Sequence, residues 1–95
     1  MGMKLFLNKV QQFSRLLGKP RVIRIRKGVM SYVITTPFVY FEFVVNSRED
    51  KWAIRVKNRL DVAIDTSFSG SFDDKRKIYQ AFDKVAKMIV DKNYI

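Results

Sequence analysis

The sequence predicts an α+β fold, in which an N-terminal helix, a five-stranded antiparallel meander and a C-terminal helix form one small domain over residues 1–95. Apolar residues at helical spacing occupy both ends of the chain, and runs of alternating apolar and polar residues separated by turn sequences fill the middle. With 95 residues and 47% hydrophobic content, the chain is long enough to build one hydrophobic core.

The first predicted helix covers residues 3–17. Its apolar stripe has spacings of four, three and four and consists of Phe6, Val10, Phe13 and Leu17. Gly18 can adopt the left-handed conformation that ends a helix, and Pro20 cannot continue one. We expect the stripe to pack on the sheet rather than on a membrane, because the polar side lacks a dense cationic face.

The predicted strands cover residues 21–27, 29–35, 38–45, 51–57 and 59–65. Lys27-Gly28 predicts the first tight turn, because glycine adopts positive φ at little cost. Thr36-Pro37 predicts the second, because proline has no N–H to donate to a strand ladder. Each strand should therefore pair with its neighbour in the chain.

The register of the first hairpin decides which side chains share a face. With the turn at Lys27-Gly28, Ile23 would lie opposite Tyr32, and the side with Ile23 and Ile25 would face the core. The other side would present Arg24, Arg26, Ser31, Val33, Phe38, Tyr40 and Glu42. Arginine and aromatic side chains would thus lie together on one face of the sheet.

The last two strands predict a second hairpin with a connection at residues 57–59. Its cross-strand pairs would be Trp52 with Ile64, Ile54 with Val62, Arg55 with Asp61, and Lys51 with Asp65. The polar side of this hairpin would largely neutralise its own charge, whereas the arginines of the first strand would have only Glu42 nearby.

Residues 66–71 read as a polar loop before the second helix, which is predicted over about 73–92. Ser71 to Asp74 is typical of a helix start, with a short polar cap followed by acidic residues in the first turn. The apolar stripe consists of Ile78, Phe82, Val85 and Ile89, again at spacings of four, three and four.

The net charge of +10 is distributed unevenly along the chain. Residues 1–41 contain eight Lys or Arg and no acidic residue, whereas residues 42–95 contain eleven basic and nine acidic residues. Such a field favours a polyanionic partner, either nucleic acid or an anionic membrane surface. No run of about 18 apolar residues is present, so no segment is expected to span a bilayer. A membrane-surface anchor formed by residues 1–27 is the less favoured alternative, and we do not expect a membrane partner.

Catalysis is not expected, because the chain has no His and no Cys and shows no Gly-rich phosphate loop or carboxylate cluster with metal spacing. For the same reasons we predict no metal and no cofactor. A His-free ribonuclease that uses Tyr40, Arg24 and Arg26 is the enzymatic alternative. The lack of Cys is compatible with a cytoplasmic location, which we expect.

The sequence therefore predicts a small, basic, non-catalytic nucleic-acid-binding protein, for DNA or RNA, with a slight preference for single strands. Arginines would neutralise phosphates, and aromatic rings would stack on unpaired bases. The candidate site residues are Lys19, Arg21, Arg24, Arg26, Lys27, Phe38 and Tyr40. The alternative is a protein interaction module or a small regulator or inhibitor of phage or mobile-element type, with the same face as a partner or homodimer interface.

Overall fold

Side chains from two helices and from the middle of a sheet meet in the core of the computed structural model, which describes residues 2–58 and 65–92. The elements are α1 (Gly2–Leu17), β1 (Arg21–Arg26), β2 (Val29–Thr35), β3 (Val39–Asn46), β4 (Lys51–Asn58), β5 (Asp65–Ser71) and α2 (Lys75–Asp91). The five strands pair in chain order, and all four pairings are antiparallel. The predicted α+β fold, with a five-stranded meander between two helices, is confirmed.

Both helices pack on one face of the sheet through the predicted stripes. Phe6 of α1 contacts Phe82 of α2 with a centroid distance of 5.2 Å and approaches Phe43 of β3 at 6.5 Å. The Phe43 and Phe82 rings stack at 5.7 Å with an interplanar angle of 6°. Offset and edge-to-face contacts between buried rings stabilise a core beyond the area that they bury.

The end of α1 follows the predicted signal, whereas the predicted cap of α2 is wrong, because Ser71 ends β5 and Asp74 is the cap residue. Gly18 has a φ of +131°, and its N–H donates to Ser14 O at 2.9 Å, which closes the last turn of α1. At the start of α2, the Asp74 carboxylate accepts from Lys77 N at 3.2 Å. This bond satisfies one of the N–H groups that the first turn of a helix leaves without a partner.

The predicted register of the first hairpin is wrong by one residue. Arg24 pairs with Met30 and Ile23 with Ser31, and a bulge between Arg24 and Arg26 restores the ladder near the turn. A bulge inserts one extra residue into one strand, so every side chain before it moves to the other face. Ile23 consequently lies away from the helices, and Arg24 lies on their side.

The predicted strand 59–65 is also wrong in its pairing. Residues 59–64 lie outside the described part of the chain, and β5 instead includes the segment 66–71, for which the sequence predicts a loop. The pairs with β4 are Trp52 with Gly70, Ile54 with Phe68, Arg55 with Ser67 and Lys51 with Ser71. Serine and glycine are typical of turns, so the composition of this segment predicts a loop. The segment nevertheless forms an edge strand, and every second residue of it lies on the core side of the sheet.

Gly70 explains why this register is adopted. A Cβ at Gly70 would lie 2.9 Å from Trp52 Cζ2, so the buried indole occupies the space that any side chain would need. The indole N–H also donates to Ser71 O at 3.1 Å. Arg55 and Lys51 are therefore opposite serines of β5, and their predicted neutralisation by carboxylates of the next strand is overturned.

Candidate nucleic-acid interface

One face of the sheet carries both helices, and no described helix or strand covers the other, which we call the open face. The four ladders place one row of five residues across its centre: Arg21, Val33, Glu42, Arg55 and Ser67. A parallel row toward one end contains Tyr40 and Lys57, and a row toward the other end contains Arg26 and Lys51.

Positive charge dominates the open face. Its basic side chains come from β1 and β4 and are those of Arg21, Arg26, Lys51, Arg55 and Lys57. Glu42 lies among them in the centre, and Asp65 occupies the register position opposite Lys57. Clustered cations on one surface attract a polyanion from a distance and release its counterions on contact.

Glu42 is held by its neighbours on the open face. Its Oε2 accepts a hydrogen bond from the buried Ser31 Oγ at 3.0 Å, and its Oε1 lies 3.8 Å from Arg55 Nη1. Among the described residues, Arg21 at the edge of the same row has no ion-pair partner. Arg21 is therefore available for a phosphate, while the charge of Arg55 is partly matched.

Two aromatic side chains lie at one end of the open face, which we call the Tyr40 end. Tyr40 is 39% exposed, and Phe38, in the turn between β2 and β3, is 49% exposed. Thr36 shapes this turn, because its Oγ1 accepts from Phe38 N at 3.3 Å and from Val39 N at 3.1 Å. The turn thus holds Phe38 two residues ahead of Tyr40, at the same end of the sheet.

A depression of about 230 Å³ beside Tyr40 is lined by Val33, Tyr40, Glu42 and Lys57. Pockets that enclose a whole small molecule or cofactor usually measure about 300–1,000 Å³. This depression is therefore large enough for one part of a larger ligand, which could contact the Tyr40 ring, the Val33 side chain and the ammonium group of Lys57.

The structure divides the predicted site residues among three places. Lys19, Arg21, Phe38 and Tyr40 lie in the central row or beyond it toward the Tyr40 end, Arg26 and Lys27 lie at the opposite end, and Arg24 lies on the face with the helices. The two ends are separated by the length of β2, about 20 Å at the usual rise per residue. The grouping of Arg24 with Tyr40 is wrong, because the bulge in β1 reverses the face of Arg24.

The same correction bears on the ribonuclease alternative. Tyr40 and Arg26 lie on the open face but in rows at opposite ends, and Arg24 lies on the other face. The three proposed catalytic side chains are therefore not brought together. Within residues 2–58 and 65–92, no three carboxylates are grouped so that they could hold a metal ion.

Sequence reasoning missed Lys51, Arg55 and Lys57 as members of the basic surface. Their alternation with Trp52 and Ile54 in β4 already indicated that they share one side of the strand. The predicted register gives carboxylate partners to Arg55 and Lys51 and places Lys57 in the connection between the strands, and the observed register removes both pairings. The apolar pairs that β4 could form with residues 59–65 were therefore not sufficient to predict that β4 pairs with β5.

The described helices are too short and too polar to cross a membrane. Comparisons with known proteins found no family model, no curated protein and no solved structure that matches this chain significantly. The function is therefore inferred from the residues of the site.

Proposed function

We propose that the protein is a non-catalytic nucleic-acid-binding protein that binds a single strand along the open face of its sheet. The observation that carries the proposal is the uncovered surface itself, which carries cations from β1 and β4 and the exposed Tyr40, with Lys57 directly beside Tyr40. The unusual basic excess of the chain, +10 in 95 residues, supports the same partner class. The proposal places this activity in the cytoplasm.

The residues in the proposed interface have separate roles. Arg21, Arg26 and Lys51 neutralise phosphates along the strand, and Lys57 does so beside the aromatic end. The Tyr40 ring stacks on a base, because every base offers a π-face and stacking needs no defined sequence. We therefore expect weak sequence specificity.

Two physical arguments favour a single strand over a duplex. Stacking on Tyr40 needs an unpaired base, which a duplex does not offer without flipping. Reading the major groove of DNA requires a protruding helix or a two-stranded ribbon, whereas the open face is the broad side of a five-stranded sheet. Contacts to a duplex would be limited to its backbone.

Fluorescence anisotropy with labelled single-stranded and duplex DNA and RNA, titrated over a salt series, tests the proposal. We expect micromolar or tighter binding to single strands, with log affinity falling steeply and linearly against log salt. Binding that is weak, equal for all four nucleic acids and abolished near physiological salt would contradict the proposal. A protein partner or homodimer on the open face would then become the leading explanation of the exposed Tyr40.

A further inference from the structure

A second basic cavity lies at the end of the open face away from Tyr40, between the β1–β2 turn and the β3–β4 turn. We call it the turn cleft. It has a volume of about 440 Å³ and is lined by Arg26, Lys27, Val29, Asn46, Arg48 and Glu49. Three of its six lining side chains are cationic: Arg26 at the end of β1, Lys27 in the β1–β2 turn and Arg48 in the β3–β4 turn.

Two hydrogen bonds fix the two turns to each other. Gly28 O accepts from Ser47 N at 2.8 Å and from Ser47 Oγ at 3.1 Å. Gly28 also has a φ of +82°, and a Cβ there would overlap Arg48 Cγ, so the aliphatic stem of Arg48 lies across the glycine. The position of Arg48 relative to Lys27 is thus set by packing and not only by charge.

The carboxylate in the turn cleft is engaged by its own turn. Asn46 Nδ2 donates to Glu49 Oε2 at 3.0 Å, and Glu49 N donates to Asn46 Oδ1 at 3.0 Å. Among the described residues, Arg26, Lys27 and Arg48 have no ion-pair partner. Three cations thus surround one cavity whose single lining carboxylate is bonded to an amide.

We propose that the turn cleft binds the terminal phosphate monoester of the strand that lies on the open face. This inference rests on the proposed function, because the cleft would hold the end of the nucleic-acid strand that binds along the open face. A terminal phosphate carries about −1.5 to −2 charges at neutral pH, whereas an internal phosphodiester carries one, so three unpaired cations discriminate in favour of the terminus. Arginine can also bind two phosphate oxygens at once.

The test compares oligonucleotides of one sequence that end in a 5′-phosphate, a 3′-phosphate or hydroxyl groups only. For the unmodified protein we expect one phosphorylated form to bind about tenfold more tightly than the hydroxyl form, which corresponds to one charge-assisted hydrogen bond. In the double variant Lys27→Gln, Arg48→Gln that preference should disappear, and affinity for the hydroxyl form should fall much less. Equal affinity for all three forms, or a preference that persists in the variant, would overturn the proposal.

A matched control and a second probe separate this proposal from the proposed function. The control variant is Lys84→Gln, Lys87→Gln, which removes the same charge from the exposed side of α2 and should leave the terminal preference intact. The second probe is inorganic phosphate, titrated while the amide resonances of Gly28 and Ser47 are followed by NMR. If no oligonucleotide binds, the proposed function fails, and the absence of phosphate-dependent shifts at Gly28 and Ser47 would then remove the cleft as well.

Discussion

Arg24 lies opposite Met30 in the ladder between β1 and β2, on the face that packs against the helices. Arg21 pairs with Val33 and Arg26 with Val29, and both lie on the open face. A single exposed strand therefore supplies arginines to both sides of the sheet. Substitutions of arginines on the two faces of β1 can therefore be compared to locate the binding surface.

Replacing the two open-face arginines should weaken binding more than replacing the third. For Arg21→Gln with Arg26→Gln, we expect the slope of log affinity against log salt to decrease in magnitude by about 1.4, or about 0.7 for each lost phosphate contact on a single strand. Arg24→Gln should change the slope by much less. Anisotropy titrations at four salt concentrations measure both slopes. A slope change for Arg24→Gln that equals half the change of the double variant, and so an equal loss per arginine, would remove the open face as the site.

Removing the Tyr40 ring should lower affinity for single strands in particular. Tyr40→Ala should cost about 1–3 kcal/mol of binding free energy, the usual contribution of one base stacked on an aromatic side chain, whereas Tyr40→Phe should retain most of the affinity. Tyr79→Ala is the matched control, since Tyr79 is an exposed tyrosine on α2. If Tyr40→Ala binds like the unmodified protein in the same titration, base stacking at this position is excluded.

Neutralising Glu42 should strengthen binding. Glu42→Gln removes the carboxylate at the centre of the open face and with it the ion pair to Arg55 at 3.8 Å. We expect affinity for a single strand to rise by up to about fivefold, in line with the ~0.2–1 kcal/mol that an exposed ion pair contributes. Glutamine keeps an oxygen that can accept from Ser31 Oγ, so the melting temperature serves as the folding control. Unchanged or weaker affinity would show that the ligand does not approach Glu42.

A side chain at Gly70 should destabilise the fold without affecting the open face. Gly70→Ala places a Cβ 2.9 Å from Trp52 Cζ2, and we expect a loss of about 1–3 kcal/mol in the free energy of unfolding, which is typical of overpacking. Ser69→Ala, at the neighbouring position on the other face, should change it by less than about 0.5 kcal/mol. Urea denaturation followed by Trp52 fluorescence measures both, and equal stabilities would contradict the observed pairing of β4 with β5.

The sequence was sufficient for the order of the elements, because hydrophobic periodicity depends on residues that are close in the chain. Phe6 and Val10 in α1, and Ile78 and Phe82 in α2, are all buried as their spacing predicts. Faces of β2 and β3 follow from the same alternation. Local pattern and tertiary packing agree in these elements, so the pattern alone leads to the correct assignment.

Register was not predictable in the same way, because it depends on contacts between strands. The bulge at Ile25 leaves no mark in the alternation of β1, yet it moves Arg24 to the other face. Gly70 was read as part of a loop, although its role is to make room for Trp52. Both errors altered the candidate site, since the binding surface consists of whichever charged side chains the register places on the open face.

The contact between Phe6 and Phe82 has a consequence for the order of folding. Each strand pairs only with its neighbour in the chain, so the sheet can form through short loop closures. The two helices, by contrast, join residues 76 positions apart, at 5.2 Å between the Phe6 and Phe82 ring centroids. We expect this closure to follow the rate-limiting step, so that shortening either ring accelerates unfolding far more than it slows folding.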